Sequence, residues 1–119
     1  NLEDNISLLN TLIECSPMIS VFALDINYKY IAFNKVHADS MKNICNKNID
    51  LDVSILDIIL AKDVDQNKKK FDKSLRDGEY VHVVETFNDM ETWETYISPI
   101  FSKKSKKIIG LCCFGTKKA

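Results

Sequence analysis

The chain has 119 residues, 45% of them hydrophobic and 28% charged, with a formal net charge of −1. That length supports one domain with a single core, and so small a charge supplies no general attraction to nucleic acid or to a membrane surface. The longest apolar run, residues 108–114 apart from one glycine, is strand-length and far below the roughly 20 residues of a bilayer-spanning helix.

Leu2, Ile6, Leu9 and Ile13 recur four, three and four residues apart, with Leu8 and Leu12 alongside. This spacing predicts an amphipathic helix with a heptad-like stripe, ending before Pro17. Its stripe can pack on its own domain or pair with the same stripe of a second copy. Glu3, Asp4, Asn5 and Asn10 interrupt the segment, so it does not read as a signal peptide. We divide the chain into this flanking helix, residues 1–15, and a domain over residues 16–119.

Residues 19–24 and 28–33 read as two strands of a hairpin turning at Asp25-Ile26-Asn27, with Asn27 as the residue that tolerates a left-handed backbone. Asn34 stands where a helix N-cap is needed, and the helix it opens runs to about Ile44. Residues 43–52 are polar and turn-like, and residues 53–60 suit a helical turn or two. Residues 63–77 are the clearest helix, with Val64, Phe71 and Leu75 on one face. Asp63 and Gln66 resemble a capping box there, and Gly78 marks the C-terminal stop.

Residues 79–87 read as a strand, Asn88-Asp89 begins a turn, and a strand follows from Trp93. The Ser/Lys-rich residues 102–107 separate it from a last strand over residues 108–115, so the chain ends in a hairpin. Pro99 cannot donate to a ladder and should mark a bulge or an edge.

Five short motifs in this order resemble the PAS domain family over nearly the whole chain. They are Ser16-Pro17-Met18, Leu24-Asp25, Tyr30-Ile31-Ala32-Phe33-Asn34, the stretch from Trp93 to Ser98-Pro99-Ile100, and Ile109-Gly110. Lys35 stands where the family often has proline, and Asn43 or Asn46 where it commonly has glycine. Phe114-Gly115-Thr116 replaces its terminal Asp-Ile-Thr trio. The resemblance implies an α+β fold: a five-stranded antiparallel sheet with helices over one face and the flanking helix at the N-terminus.

It also implies a ligand pocket between helices and sheet. Counted back from Pro99 in the family pattern, Trp93, Thr95 and Ile97 face inward, joined by Phe71, Cys112 and Phe114. Glu94, Tyr96, Leu111 and Cys113 then form an apolar outer face that something must cover, with the N-terminal helix as the candidate, from this chain or a partner.

Cofactor requirements of the family can be checked against the residues. A haem-binding member presents an axial histidine from the long helix, and residues 63–77 contain none. A photoactive flavin member needs an Asn-Cys-Arg-type motif, and Cys45 in Asn43-Ile44-Cys45-Asn46-Lys47 lacks the rest of it. Haem and photoactive flavin are therefore disfavoured, and the cofactor is left unassigned. The four cysteines have no C-x-x-C spacing and read as reduced thiols of a cytoplasmic domain. His37 reads as a packed, hydrogen-bonded histidine, while the facing of His82 is open. Lys103 to Lys107 reads as a solvated hairpin tip.

No nucleophile–base pair or phosphate loop is placed by the sequence, so the domain is not read as an enzyme. The expected function is sensory signal transduction, as in two-component systems. A small molecule would bind and the signal would pass to an output domain outside this chain: a histidine kinase, cyclic-dinucleotide enzyme or transcriptional regulator. The alternative is a ligand-free module that forms homodimers through Leu2, Ile6, Leu9 and Ile13. Neither nucleic acid nor direct membrane contact is expected, although a parent protein could be membrane-anchored.

Overall fold

The computed structural model describes residues 1–119. In chain order the elements are α1 (Leu2–Glu14), β1 (Ile19–Asp25), β2 (Tyr30–Phe33), α2 (Lys35–Cys45), two single 3-10 turns (Ile55–Asp57 and Ala61–Asp63), α3 (Val64–Leu75), β3 (Val81–Phe87), β4 (Glu91–Phe101) and β5 (Ile108–Lys117). The strands form one sheet in the order β2-β1-β5-β4-β3, and every neighbouring pair is antiparallel. The helices α2 and α3 with the 3-10 turns cover one face, and Phe22, Leu24, Tyr30, Phe71, Leu75, Ile97, Leu111 and Cys113 form the core between the layers. The expected α+β architecture is the one observed.

Local chemistry explains the turns. Asn88 and Asp89 both have positive φ (51° and 55°), and Met90 N–H donates to the Phe87 carbonyl at 2.9 Å. That is the tight hairpin whose twist matches its flanking strands. At the first hairpin the Asp25 carboxylate accepts from the Asn27 and Lys29 N–H groups at 2.8 and 3.0 Å. The left-handed residue there is Tyr28 (φ 65°), not Asn27 as expected, because this side-chain turn shifts the reversal by one residue.

Asn34 caps α2 as expected. Its Oδ1 accepts from His37 N–H and Val21 N–H, both at 3.0 Å, and its Nδ2 donates to the carbonyls of Ile13 and Ile19 at 2.7 Å. One side chain thus ties α1, β1 and α2 together. The expected capping box at Asp63 does not form. A 3-10 turn runs directly into α3, so Asp63 has near-helical backbone angles and its side chain caps nothing.

Pro99 lies opposite Leu111 of β5, while β3 reaches only as far as Ile97. The proline therefore stands past its second neighbour, next to an irregularity at Ile100/Phe101, where a missing donor costs little. The exposed side of β2 is occupied by residues 52–55: Tyr30 N–H donates to Val53 and Asp52 N–H to Tyr30, at 3.0 and 2.9 Å. At Tyr30, the first residue of β2, that edge is closed to pairing with another chain.

The N-terminal helix stands apart from this body. None of its residues is buried, and Leu2, Ile6, Leu8, Leu9 and Leu12 are all exposed. Only its end is tied down, through Ile13 to Asn34 and through the Glu14 carboxylate, which accepts from Lys35 N–H at 3.0 Å. The helix therefore does not cover the outer sheet face of its own chain.

Candidate functional site

Between α2, α3 and the sheet lies a cavity of about 80 Å³. Alternation along β4 aims Trp93, Thr95 and Ile97 at the helices, as expected, and Trp93 and Thr95 line the cavity together with Phe71 of α3. Ile97 is buried one step deeper, in the core.

Cys112 and Phe114 are not at the cavity. Antiparallel partners share a face, and the register pairs Tyr96 with Phe114, Ser98 with Cys112 and Ile97 with Cys113. Cys112 and Phe114 thus lie on the outer face beside Tyr96, whereas Leu111 and Cys113 point inward and are buried. The expected parity of β5 is reversed. The run Leu111-Cys112-Cys113-Phe114 is apolar on both faces, so alternation could not fix its phase.

Small and polar groups shape the cavity floor. Ser20, Gly115 and Thr95 lie side by side across β1, β5 and β4. A Cβ on Gly115 would come within 3.2 Å of the Trp93 ring, so the glycine keeps the floor open beneath the indole. Phe22 and Phe71 meet edge to face, with centroids 6.4 Å apart.

His37 packs against this floor, stacked on Phe22 with ring centroids 4.1 Å apart. Its Nδ1 lies 3.2 Å from Ser20 Oγ and its Nε2 2.8 Å from the Tyr30 hydroxyl. Burial lowers its pKa to about 3, so the ring is neutral, with one nitrogen donating and the other accepting. Burial, helped by the nearby Cys45 and Cys113 thiols, also pushes the Tyr30 phenol well above its ordinary range. Ser20 and His37 form a serine–histidine contact that the sequence reading missed. Such a ring is a poor proton acceptor, because a general base needs a pKa near the working pH. The pair fits packing and hydrogen bonding, as expected for His37, and not nucleophilic catalysis.

Two further residues near the cavity were not anticipated. Glu91 is buried and accepts hydrogen bonds from Ser40 Oγ and Trp93 Nε1, each at 2.8 Å, and from Asn43 Nδ2. Burial is the largest single influence and pushes its pKa up, but these three donors and the Lys117 charge together hold it below the ordinary carboxylate value. Glu91 therefore clamps α2 to β4 and fixes the Trp93 indole. It shares the inward parity of Trp93 and Thr95, which is the signal that could have found it. Lys70 also faces the cavity, bound to Glu85 at 2.8 Å with both side chains largely buried. Burial pushes the Cys113 thiol up to about 12, which removes it as a nucleophile near neutral pH.

On the outer face His82 stacks on Tyr96, with centroids 4.5 Å apart, and approaches Glu94 at 2.7 Å. Tyr80, Tyr96, Ile109 and Phe114 are all exposed.

No family model and no curated protein matches the chain. Solved structures do. It is similar to a sensory box sensor histidine kinase from Vibrio cholerae at 16% identity and a TM-score of 0.67, over 99% of this chain and 92% of that one. It is similar to the PAS domain of Bordetella pertussis BvgS at 10% identity and 0.70, over 98% and 88%. The phage VqmA–DPO complex gives 15% identity and 0.71, over 97% of this chain and 53% of that one. These likenesses extend to the whole architecture, a sheet in the order β2-β1-β5-β4-β3 with α2 and α3 packed over one face. The chain has the PAS fold. No helix in it is long and apolar enough to cross a membrane.

Proposed function

We propose that the chain is a sensory PAS domain that binds a small molecule between α2, α3 and the sheet, and passes the event to an output domain of a parent protein. The observation that carries this reading is the cavity itself, with aromatic walls and a floor kept open by Gly115 between two hydroxyl-bearing residues. Structures of this fold from sensor histidine kinases support a kinase-type output. A cavity of about 80 Å³ has no room for a haem or a tricyclic flavin without rearrangement.

A route from cavity to exit is present in the geometry. Trp93 lies opposite Lys117, the last residue of β5, and Lys118 N–H donates to the Thr92 carbonyl at 2.8 Å. A ligand that moves the indole also bears on the point where the chain leaves the sheet. It shifts the equilibrium only by its difference in affinity for the two arrangements.

Trp93 is the only tryptophan, so its emission reports the site directly. Titration with the small-molecule fraction of a cell extract is expected to change that emission saturably and to raise the thermal midpoint. An extract that alters neither counts against ligand sensing.

A second reading, self-association, is favoured by a different observation: the exposed apolar stripe of α1 and the exposed aromatic outer face occur in the same chain. Two copies could cover these surfaces, with Leu2, Ile6 and Leu9 at the contact and Ile13 at its base. Sedimentation of the wild type and Leu9→Glu tests this. Equal association of the two proteins would refute it.

A further inference from the structure

The cavity walls carry two polar atoms whose hydrogen-bonding capacity is not used within the protein. Thr95 is 8% exposed, and its Oγ1, which points over Gly115, makes no hydrogen bond within the chain. On the facing wall Asn67 is 5% exposed; its Nδ2 donates to the Asp63 carbonyl at 2.9 Å, and its Oδ1 accepts from no protein group. No side-chain nitrogen or oxygen in the chain is both sealed from solvent and without a partner. Both atoms therefore open onto the cavity that they line. Polar atoms in such largely buried side chains are costly to leave unpaired, so their partners come from what occupies the cavity, water or a guest that displaces it.

Of the charged and titratable groups around the cavity, Lys70 and His37 are already engaged, while the half-buried Asp63 carboxylate has no side-chain partner. Lys70 Nζ lies 2.8 Å from Glu85 Oε1 and over the rings of Phe71 and Phe87. Both ring nitrogens of His37 have partners in Ser20 and Tyr30. An anionic guest would have to take Lys70 from Glu85 and would meet the Asp63 carboxylate, and a cationic one, although Asp63 would attract it, would be placed beside the Lys70 ammonium. Size sets a further bound. An apolar cavity of about 150 Å³ holds benzene, so about 80 Å³ limits the enclosed part of a guest to one ring.

Resting on the ligand-sensing reading above, we propose that the site takes an uncharged ligand no larger than a single six-membered ring. It donates a hydrogen bond to Asn67 Oδ1, accepts one from the Thr95 hydroxyl, and lays its flat face among Phe22, Phe71 and Trp93. Thr95 and Asn67 determine its polarity pattern, and Gly115 determines how deeply it sits.

The test is an NMR titration of the whole chain, reading the backbone amide signals of Asn67, Thr95 and Gly115. The probes are 2-pyridone and 4-pyridone, which carry one donor and one acceptor at adjacent or opposite ring positions, with toluene, benzoate and benzylamine as apolar, anionic and cationic counterparts. One of the pyridones is expected to bind about tenfold more tightly than any counterpart. Thr95→Val should remove that advantage, roughly tenfold for one lost hydrogen bond, while toluene binding stays within about twofold and shows that the variant is folded. The inference is overturned if a counterpart binds as tightly as the better pyridone, if Thr95→Val leaves the ratio unchanged, or if no probe moves these signals. Should every probe fail while the cell extract still shifts Trp93 emission, the sensor reading stands and this ligand class falls.

Discussion

His37 makes the stability of this domain depend on pH. Its pKa falls from the ordinary 6.5 to about 3 because the ring is buried. Between those values the unfolded chain holds a proton that the folded chain does not, so stability is complete above about pH 6.5 and is lost progressively as pH falls toward 3. The slope is about 1.4 kcal/mol per pH unit, so lowering pH from 7 to 5 removes about 2 kcal/mol, a large share of the roughly 5–15 kcal/mol that holds a small domain folded. The assay is urea unfolding at both pH values for the wild type and His37→Gln, a neutral side chain that can still hydrogen-bond. Because His82 and the carboxylates are common to both proteins, the difference between their pH dependences isolates His37. The wild type should lose about 2 kcal/mol more than the variant over that interval. Parallel losses would show that His37 is protonated in the folded protein and refute the reasoning.

Three further outcomes follow from packing. A Cβ on Gly110 would stand 2.3 Å from the Leu24 carbonyl oxygen, so Gly110→Ala has to part β1 from β5; a thermal melt should show a loss of several kcal/mol or no cooperative transition, and an unchanged midpoint would contradict that contact. The corrected parity of β5 predicts that Leu111→Ser costs about 3 kcal/mol or more while Phe114→Ser, on the outer face, costs under about 1 in the monomer; the reverse order in urea would restore the parity first expected. Asn34→Ala removes the α2 cap and four hydrogen bonds to three elements, and on the order of 3 kcal/mol should be lost in denaturant melts.

The fold was legible because its signals are local. Asn88-Asp89 tolerate positive φ and Asn34 supplies a cap, whereas the inward facing of Trp93, Thr95 and Ile97 came from the family pattern counted back from Pro99. The phase of β5 was not legible: Leu111 to Phe114 is apolar throughout, and only pairing with Tyr96 and Ile97 decides which side chains turn inward. Asn67 and Glu91 were missed for a related reason. A polar residue in a helix or strand reads as solvent-facing until tertiary contacts give it partners, here the Asp63 carbonyl for one and Ser40, Asn43 and Trp93 for the other. The stripe of α1 was plain in the sequence. What it packs against was not, since the helix buries nothing in its own chain.

The central claim is that the cavity beneath Trp93 holds a small molecule. Native mass spectrometry tests it most directly, on freshly purified protein and again after incubation with the small-molecule fraction of a cell extract, each compared with the denatured sample. The account predicts a mass excess of a single small ligand per chain that disappears on denaturation and is lost in Gly115→Ala, whose added methyl takes up the cavity floor. A bare-chain mass under both conditions, from protein with a normal thermal transition, would contradict it and leave self-association through α1 and the outer sheet face as the function to pursue.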